Sequence, residues 1–302
     1  MTGGRRASAL LSSRIGHATQ ARGLGSKILD PYPAICGQGF DGMNTTRVLH
    51  LEGVHNFRDF GGYSVAGGLR LRRGFLWRSG QHHEATDADL EKIAALDLAS
   101  VFDLRTSTER ERHPCRRPEG FAAPVVTAPD PEIAHAPHLA AARPTRQRSG
   151  ADTREALRRN YGRMCFRPEL QGMIRRYIAE LAQGRGPSLV NCMAGKDLTG
   201  IAVAMVQLAA GVHRDDVVAD YLLTNEAGDP EARIAAGART IAAISGPLSE
   251  EVLRVVMAVE AEYLETALDA ITAEHGSIDA YLAGPLGADA ALRERLRGAL
   301  VE

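Results

Sequence analysis

Apolar positions along the chain recur at two spacings, which separate short strands from longer helices. Leu189-Val190 follows the turn Gly184-Arg185-Gly186-Pro187 and predicts a buried strand. Residues 201–210 form a second apolar run, rich in Ala and too long for a typical strand. They predict a helix buried on most sides, with Gly211 as its stop. Upstream, residues 48–63 read as a short strand, a loop and a Gly-Gly turn; residues 69–77, 99–104 and 125–127 read as further strands. Thr86-Asp87-Ala88-Asp89 is a helix start, with Leu90, Ile93 and Ala94 on its apolar face.

The second half reads as helix after helix. Residues 153–164 and 167–183 are helical, the latter with Leu170, Ile174, Tyr177, Ile178 and Leu181 on one face. Residues 214–226 are amphipathic through Val217, Val218, Tyr221 and Leu222. A single long helix is expected over 250–274, with Val252, Val255, Val256, Val259, Tyr263 and Leu264 inward, and a last one over 288–300. The pattern predicts an α/β fold, a central sheet of four to five strands flanked by helices, with a helix-rich C-terminal half. A ligand site is expected at the C-terminal edge of a strand.

Composition narrows the classes of function. The net charge of −1 over 302 residues gives no electrostatic basis for a nucleic-acid or membrane partner. No apolar run of about 18 residues predicts a membrane span. Cys36, Cys115, Cys165 and Cys192 match neither a zinc pattern nor a compact disulfide framework; a reduced, cytoplasmic setting is expected. Residues 1–42 stand apart: Arg5, Arg6, Arg14, Arg22 and Lys27 against Asp30 and Asp41 leave +3, in a Gly-, Ser- and Ala-rich stretch without periodicity. They are expected to be a disordered extension, with Met43 an alternative start, and residues 43–302 a single domain.

The chemistry gathers between the apolar runs, in Cys192-Met193-Ala194-Gly195-Lys196-Asp197-Leu198-Thr199-Gly200. A loop entering a helix N-terminus offers unpaired backbone N–H groups and the positive end of the helix dipole, a site for phosphate. The same field lowers the pKa of a thiol, so Cys192 is expected to be a nucleophilic thiolate. Lys196 adds positive charge, and Asp197 a carboxylate able to orient a group or move a proton. A nucleotide-binding loop is excluded, since it needs Gly at Val190 and Ser or Thr at Asp197.

This stretch resembles the H-C-x-A-G-K-D-R-T-G loop of the bacterial branch of atypical protein tyrosine phosphatases. Asn56-Phe57-Arg58-Asp59-Phe60-Gly61-Gly62-Tyr63 is similar to that family's N-F-R-D-L-G-G-Y block. Phe102-Asp103-Leu104-Arg105-Thr106 with Glu109 is similar to its D-L-R-S…E block, and residues 220–225 resemble D-Y-L-x-S-N. The resemblance runs from about Leu51 onward and implies a protein tyrosine phosphatase-like fold. It also implies hydrolysis of phosphomonoesters through a cysteinyl-phosphate, without cofactor or metal. Phosphoproteins, phosphotyrosine above all, and phosphoinositides are the implied substrates. Met193, Ala194, Gly195, Leu198, Thr199 and Gly200 would line the phosphate, and Cys192 and Lys196 would act on it. Asp130, in the Pro-rich turn after residues 125–127, matches the family's general acid, with Asp197 as its rival.

Two positions depart from the family loop: its arginine is Leu198 here, and its histidine is Asn191. Leucine cannot grip phosphoryl oxygens in a planar fork. A pseudophosphatase that binds phosphorylated ligands without efficient turnover is therefore the second reading. A sulfur transferase or redox protein built on Cys192 is the third. Arg58 and Arg78 are expected to be buried structural cations, paired with Asp59 and Asp103. Residues 133–150 carry His135, His138, Arg143, Arg146 and Arg148 and read as a surface loop that does not bind metal.

Overall fold

The computed structural model describes residues 47–129 and 149–302. The sheet is built from β1 (Arg58–Asp59), β2 (Leu76–Ser79), β3 (Ser100–Asp103), β4 (Val125–Thr127) and β5 (Ser188–Asn191). Their order is β1-β2-β5-β3-β4. β1 runs antiparallel to β2, and the other pairs are parallel, with Val190 opposite both Arg78 and Phe102. The strand that carries Leu189-Val190 is thus the central one. Its alternation puts Leu189 and Val101 on one face and Val190 and Phe102 on the other.

The first face is covered by α1 (Asp87–Ala94), whose Ile93 packs with Val54, Phe57, Ala85 and Leu189. Thr86 closes a capping box with Asp89, as its spacing predicts. α2 (Ser107–Arg112) starts on a second capping box, Thr106 with Glu109.

The opposite face carries the large core, built by α3 (Gly150–Met164), α4 (Pro168–Leu181), α5 (Asp197–Ala210) and α6 (Arg214–Leu222). The face expected of α4 is the buried one, and Tyr177 meets Phe102 at 4.6 Å between ring centroids. α5 is apolar all round because it is buried nearly all round, and Gly211 ends it in the left-handed conformation at φ 94°.

α7 (Pro230–Ser245), α8 (Glu250–Met257), α9 (Ala261–His275), α10 (Ile278–Ala283) and α11 (Ala290–Leu300) complete the chain. The single helix expected over 250–274 is two helices, broken at Ala258, which is extended at ψ 170°. The cause lies in other parts of the chain. Asn225 bonds both backbone groups of Val259, at 2.9 and 2.8 Å, and Lys196 takes the carbonyls of Val256 and Ala258. Side-chain partners thus replace the intrahelical bonds of this turn.

Candidate active site

The loop that leaves β5 and enters α5 sits at the C-terminal end of the central parallel strand. Its shape is imposed from outside. The Met193 carbonyl accepts from the Gln81 amide at 3.0 Å. The Gly195 carbonyl accepts from Asn56 Nδ2 at 2.7 Å and from Arg78 Nη2 at 3.0 Å. Gly195 has φ 63°, and a Cβ there would lie 2.4 Å from the Ser79 carbonyl carbon, so only glycine fits. With these carbonyls held, the amides of Met193, Ala194 and Gly195 have no backbone acceptor among the described residues. They are free donors beside the N-terminus of α5.

Cys192 lies at the base of this loop and is 6 % exposed. Burial pushes its thiol up. The Thr199 hydroxyl and the amides of Thr199 and Lys196 oppose that shift, while the Asp197 charge adds to it. The Thr199 hydroxyl is buried without a full hydrogen bond to any described group and lowers the thiol pKa from beside it. Burial thus acts against the lowered pKa expected from the helix dipole.

Lys196 and Asp197 are both buried. The Lys196 ammonium holds the Val256 and Ala258 carbonyls at the end of α8, where a cation complements the helix terminus. It lies 3.5 Å from Asp197 Oδ1. Burial lowers the Lys196 pKa, with Asp197 opposing and Arg233 adding. Asp197 Oδ1 accepts from the Tyr161 hydroxyl at 2.7 Å, which itself accepts from Tyr221 at 2.6 Å. Gly200, in the first turn of α5, gives Tyr221 room: a Cβ there would meet its ring at 2.9 Å. Leu198 is half-buried and packs against the large core. Asn191 is fully buried; its Nδ2 donates to Asp103 at 3.3 Å, and its Oδ1 has no partner among the described residues.

Arg58 and Arg78 are buried, as expected, but their acid is Asp220. Arg78 Nη1 lies 2.8 Å and Arg58 Nε 3.6 Å from its carboxylate. Asp103 is taken by a two-point pairing with Arg105, and Asp59 accepts from the Gly61 and Gly74 amides. The blocks around Asn56, Arg78 and Asp220 thus converge on the back of the loop. Asp130, His135, His138 and the arginines at 143, 146 and 148 lie outside the described residues, as does the extension 1–42.

One residue escaped sequence reasoning. A pocket beside the loop is lined by Met193 and Ala194 together with His55, Gln81, Met257 and Arg233. Arg233 sits in the first turns of α7, a helix whose start, Asp229 as cap and Pro230 at its first position, is legible in the sequence. What the sequence lacks is any sign that this helix lies against the loop. No described helix is long and apolar enough to cross a membrane.

Comparison with known proteins gives a family for the chain. The family model described as "Tyrosine phosphatase family" matches residues 49–302. A Cupriavidus necator protein named "Putative tyrosine-protein phosphatase" is 34 % identical over 259 residues, 83 % of this chain and 87 % of its own length. The "Triple specificity protein phosphatase PtpB" of Mycobacterium tuberculosis is 32 % identical over 282 residues, 84 % of this chain and 99 % of its own.

Proposed function

The chain belongs to the tyrosine phosphatase family, and from that premise we propose that it hydrolyses phosphomonoesters through a cysteinyl-phosphate on Cys192. The observation that carries this reading is the set of loop amides without a described acceptor next to the thiol, with the Met193 and Gly195 carbonyls held away by Gln81, Asn56 and Arg78. Once its proton is lost, the sulfur attacks phosphorus, and the bond from phosphorus to the ester oxygen breaks. Asp130 gives that oxygen its proton and then takes one from the water that attacks the cysteinyl-phosphate, releasing orthophosphate and the thiolate. Asp197 is the weaker candidate, since its carboxylate is engaged by Tyr161 and Lys196. Met193, Ala194, Gly195, Leu198, Thr199 and Gly200 supply the loop around the phosphate, and Lys196 its positive charge.

Phosphotyrosine proteins are the first substrate class, with phosphoserine, phosphothreonine and phosphoinositides beside them; the triple specificity in the mycobacterial relative's name supports that breadth. A free thiol at Cys192 suits the cytoplasm. The domain responsible is residues 43–302, with 1–42 an extension.

A pseudophosphatase is the second reading, favoured by the packing of Leu198 against the core and by the burial that disfavours the thiolate. The test is hydrolysis of an aryl phosphate by wild type, Cys192→Ser and Leu198→Arg. Wild-type turnover abolished in Cys192→Ser is the expected result. An inactive wild type with activity in Leu198→Arg turns the assignment to the pseudophosphatase. No activity in any of the three overturns aryl-phosphate hydrolysis.

A further inference from the structure

The anion loop has no arginine of its own, and the cations nearest it are already engaged. Arg58 and Arg78 are locked to Asp220, Arg105 to Asp103, and Lys196 to two carbonyls and Asp197. Arg233 differs from all of them. It is 4 % exposed, yet it pairs with no acid among the described residues, and burial alone shifts its pKa. Its Nη1 is anchored to the Thr224 carbonyl. Its Nε is buried with no acceptor, and Nη2 makes no hydrogen bond to a described residue. Burial lowers its pKa only to about 10, so the group is cationic at neutral pH.

A buried guanidinium without a counter-charge is costly to keep. Such a cost is retained where a ligand supplies the missing anion. Arg233 lines the same pocket as Met193 and Ala194, and its charge is felt at Lys196 and His55. With Nη1 anchored, the Nε–Nη2 edge is left, the edge that binds two oxygens of one tetrahedral anion side by side.

We propose that Arg233, carried by α7, grips the phosphoryl group bound at the Cys192 loop and takes over the task that the family assigns to an arginine at the Leu198 position. This inference rests on the anion-loop reading above. It makes phosphate recognition depend on a helix outside the loop.

The probe is inorganic phosphate, and the readout is the rise in melting temperature it produces, so a variant less stable by itself still reports. Aryl-phosphate kcat/KM is measured alongside. Wild type should show the rise. Arg233→Gln should lose it, with phosphate affinity weaker by about tenfold to a hundredfold, and Arg233→Lys should keep part of it. Leu198→Arg placed in the Arg233→Gln background should restore binding, which a merely structural role at Thr224 would not allow. A full phosphate-induced rise in Arg233→Gln overturns the proposal, as does the absence of any rise in wild type. The two readings fail separately. Hydrolysis that needs Cys192 but is untouched by Arg233→Gln leaves the phosphatase and removes the clamp. Arg233-dependent phosphate binding without turnover leaves the clamp and removes the phosphatase.

Discussion

At the scale of the residue, Cys192 is held between two opposed effects. Loop amides and the Thr199 hydroxyl favour the thiolate, and burial disfavours it more strongly. The sign is fixed: the reactive form is the deprotonated one, and a raised pKa moves its appearance to higher pH. Alkylation of Cys192 by iodoacetamide should therefore accelerate as pH rises, reaching half its maximal rate above the ordinary thiol range. A half-maximal rate near neutral pH would show that the loop donors outweigh burial after all. The cysteine and its glycines are legible in the sequence because each has a local reason, a strand end, a positive φ and a helix start. The direction of the pKa shift is not, because burial belongs to the folded chain.

At the scale of the element, the instructive case is the break between α8 and α9. The apolar spacing over 250–274 continues through the break, since Val255, Val259 and Tyr263 all face the core. Nothing in this stretch stops a helix; Asn225 and Lys196 do so by claiming its backbone groups. Asn225→Ala should remove two part-buried hydrogen bonds and cost about 1–3 kcal/mol in urea unfolding. Hydrogen exchange at residues 258–260 should rise at the same time. Unchanged exchange there would mean that Lys196 alone holds the break. The short helix α2 starts on the capping box of Thr106 with Glu109, the same residues that carry the resemblance to the D-L-R-S…E block.

At the scale of the whole molecule, Asp220 joins what the chain separates. From α6 it pairs with Arg58 and Arg78, on the first two strands, and accepts from the Tyr63 hydroxyl at 3.3 Å. Arg78 passes the connection to the Gly195 carbonyl and so to the loop. Asp220→Ala would leave two guanidiniums buried without their acid. A loss of about 3–5 kcal/mol in equilibrium unfolding is expected, together with loss of the phosphate-induced rise in melting temperature. A variant of wild-type stability would show that water or rearranged carbonyls can replace the carboxylate.

The sequence by itself determined the strand-loop-helix around Cys192, the glycines it needs, the apolar faces of the helices and the α/β plan. Each of these follows from spacing, capping or local backbone geometry, which neighbouring residues decide. Only the tertiary structure decided that Asp220 neutralises Arg58 and Arg78, that Lys196 ends α8, that burial raises Cys192, and that Arg233 lines the pocket beside the loop. Those facts depend on which distant segments share a desolvated space, where a charge must find whatever partner the fold brings to it.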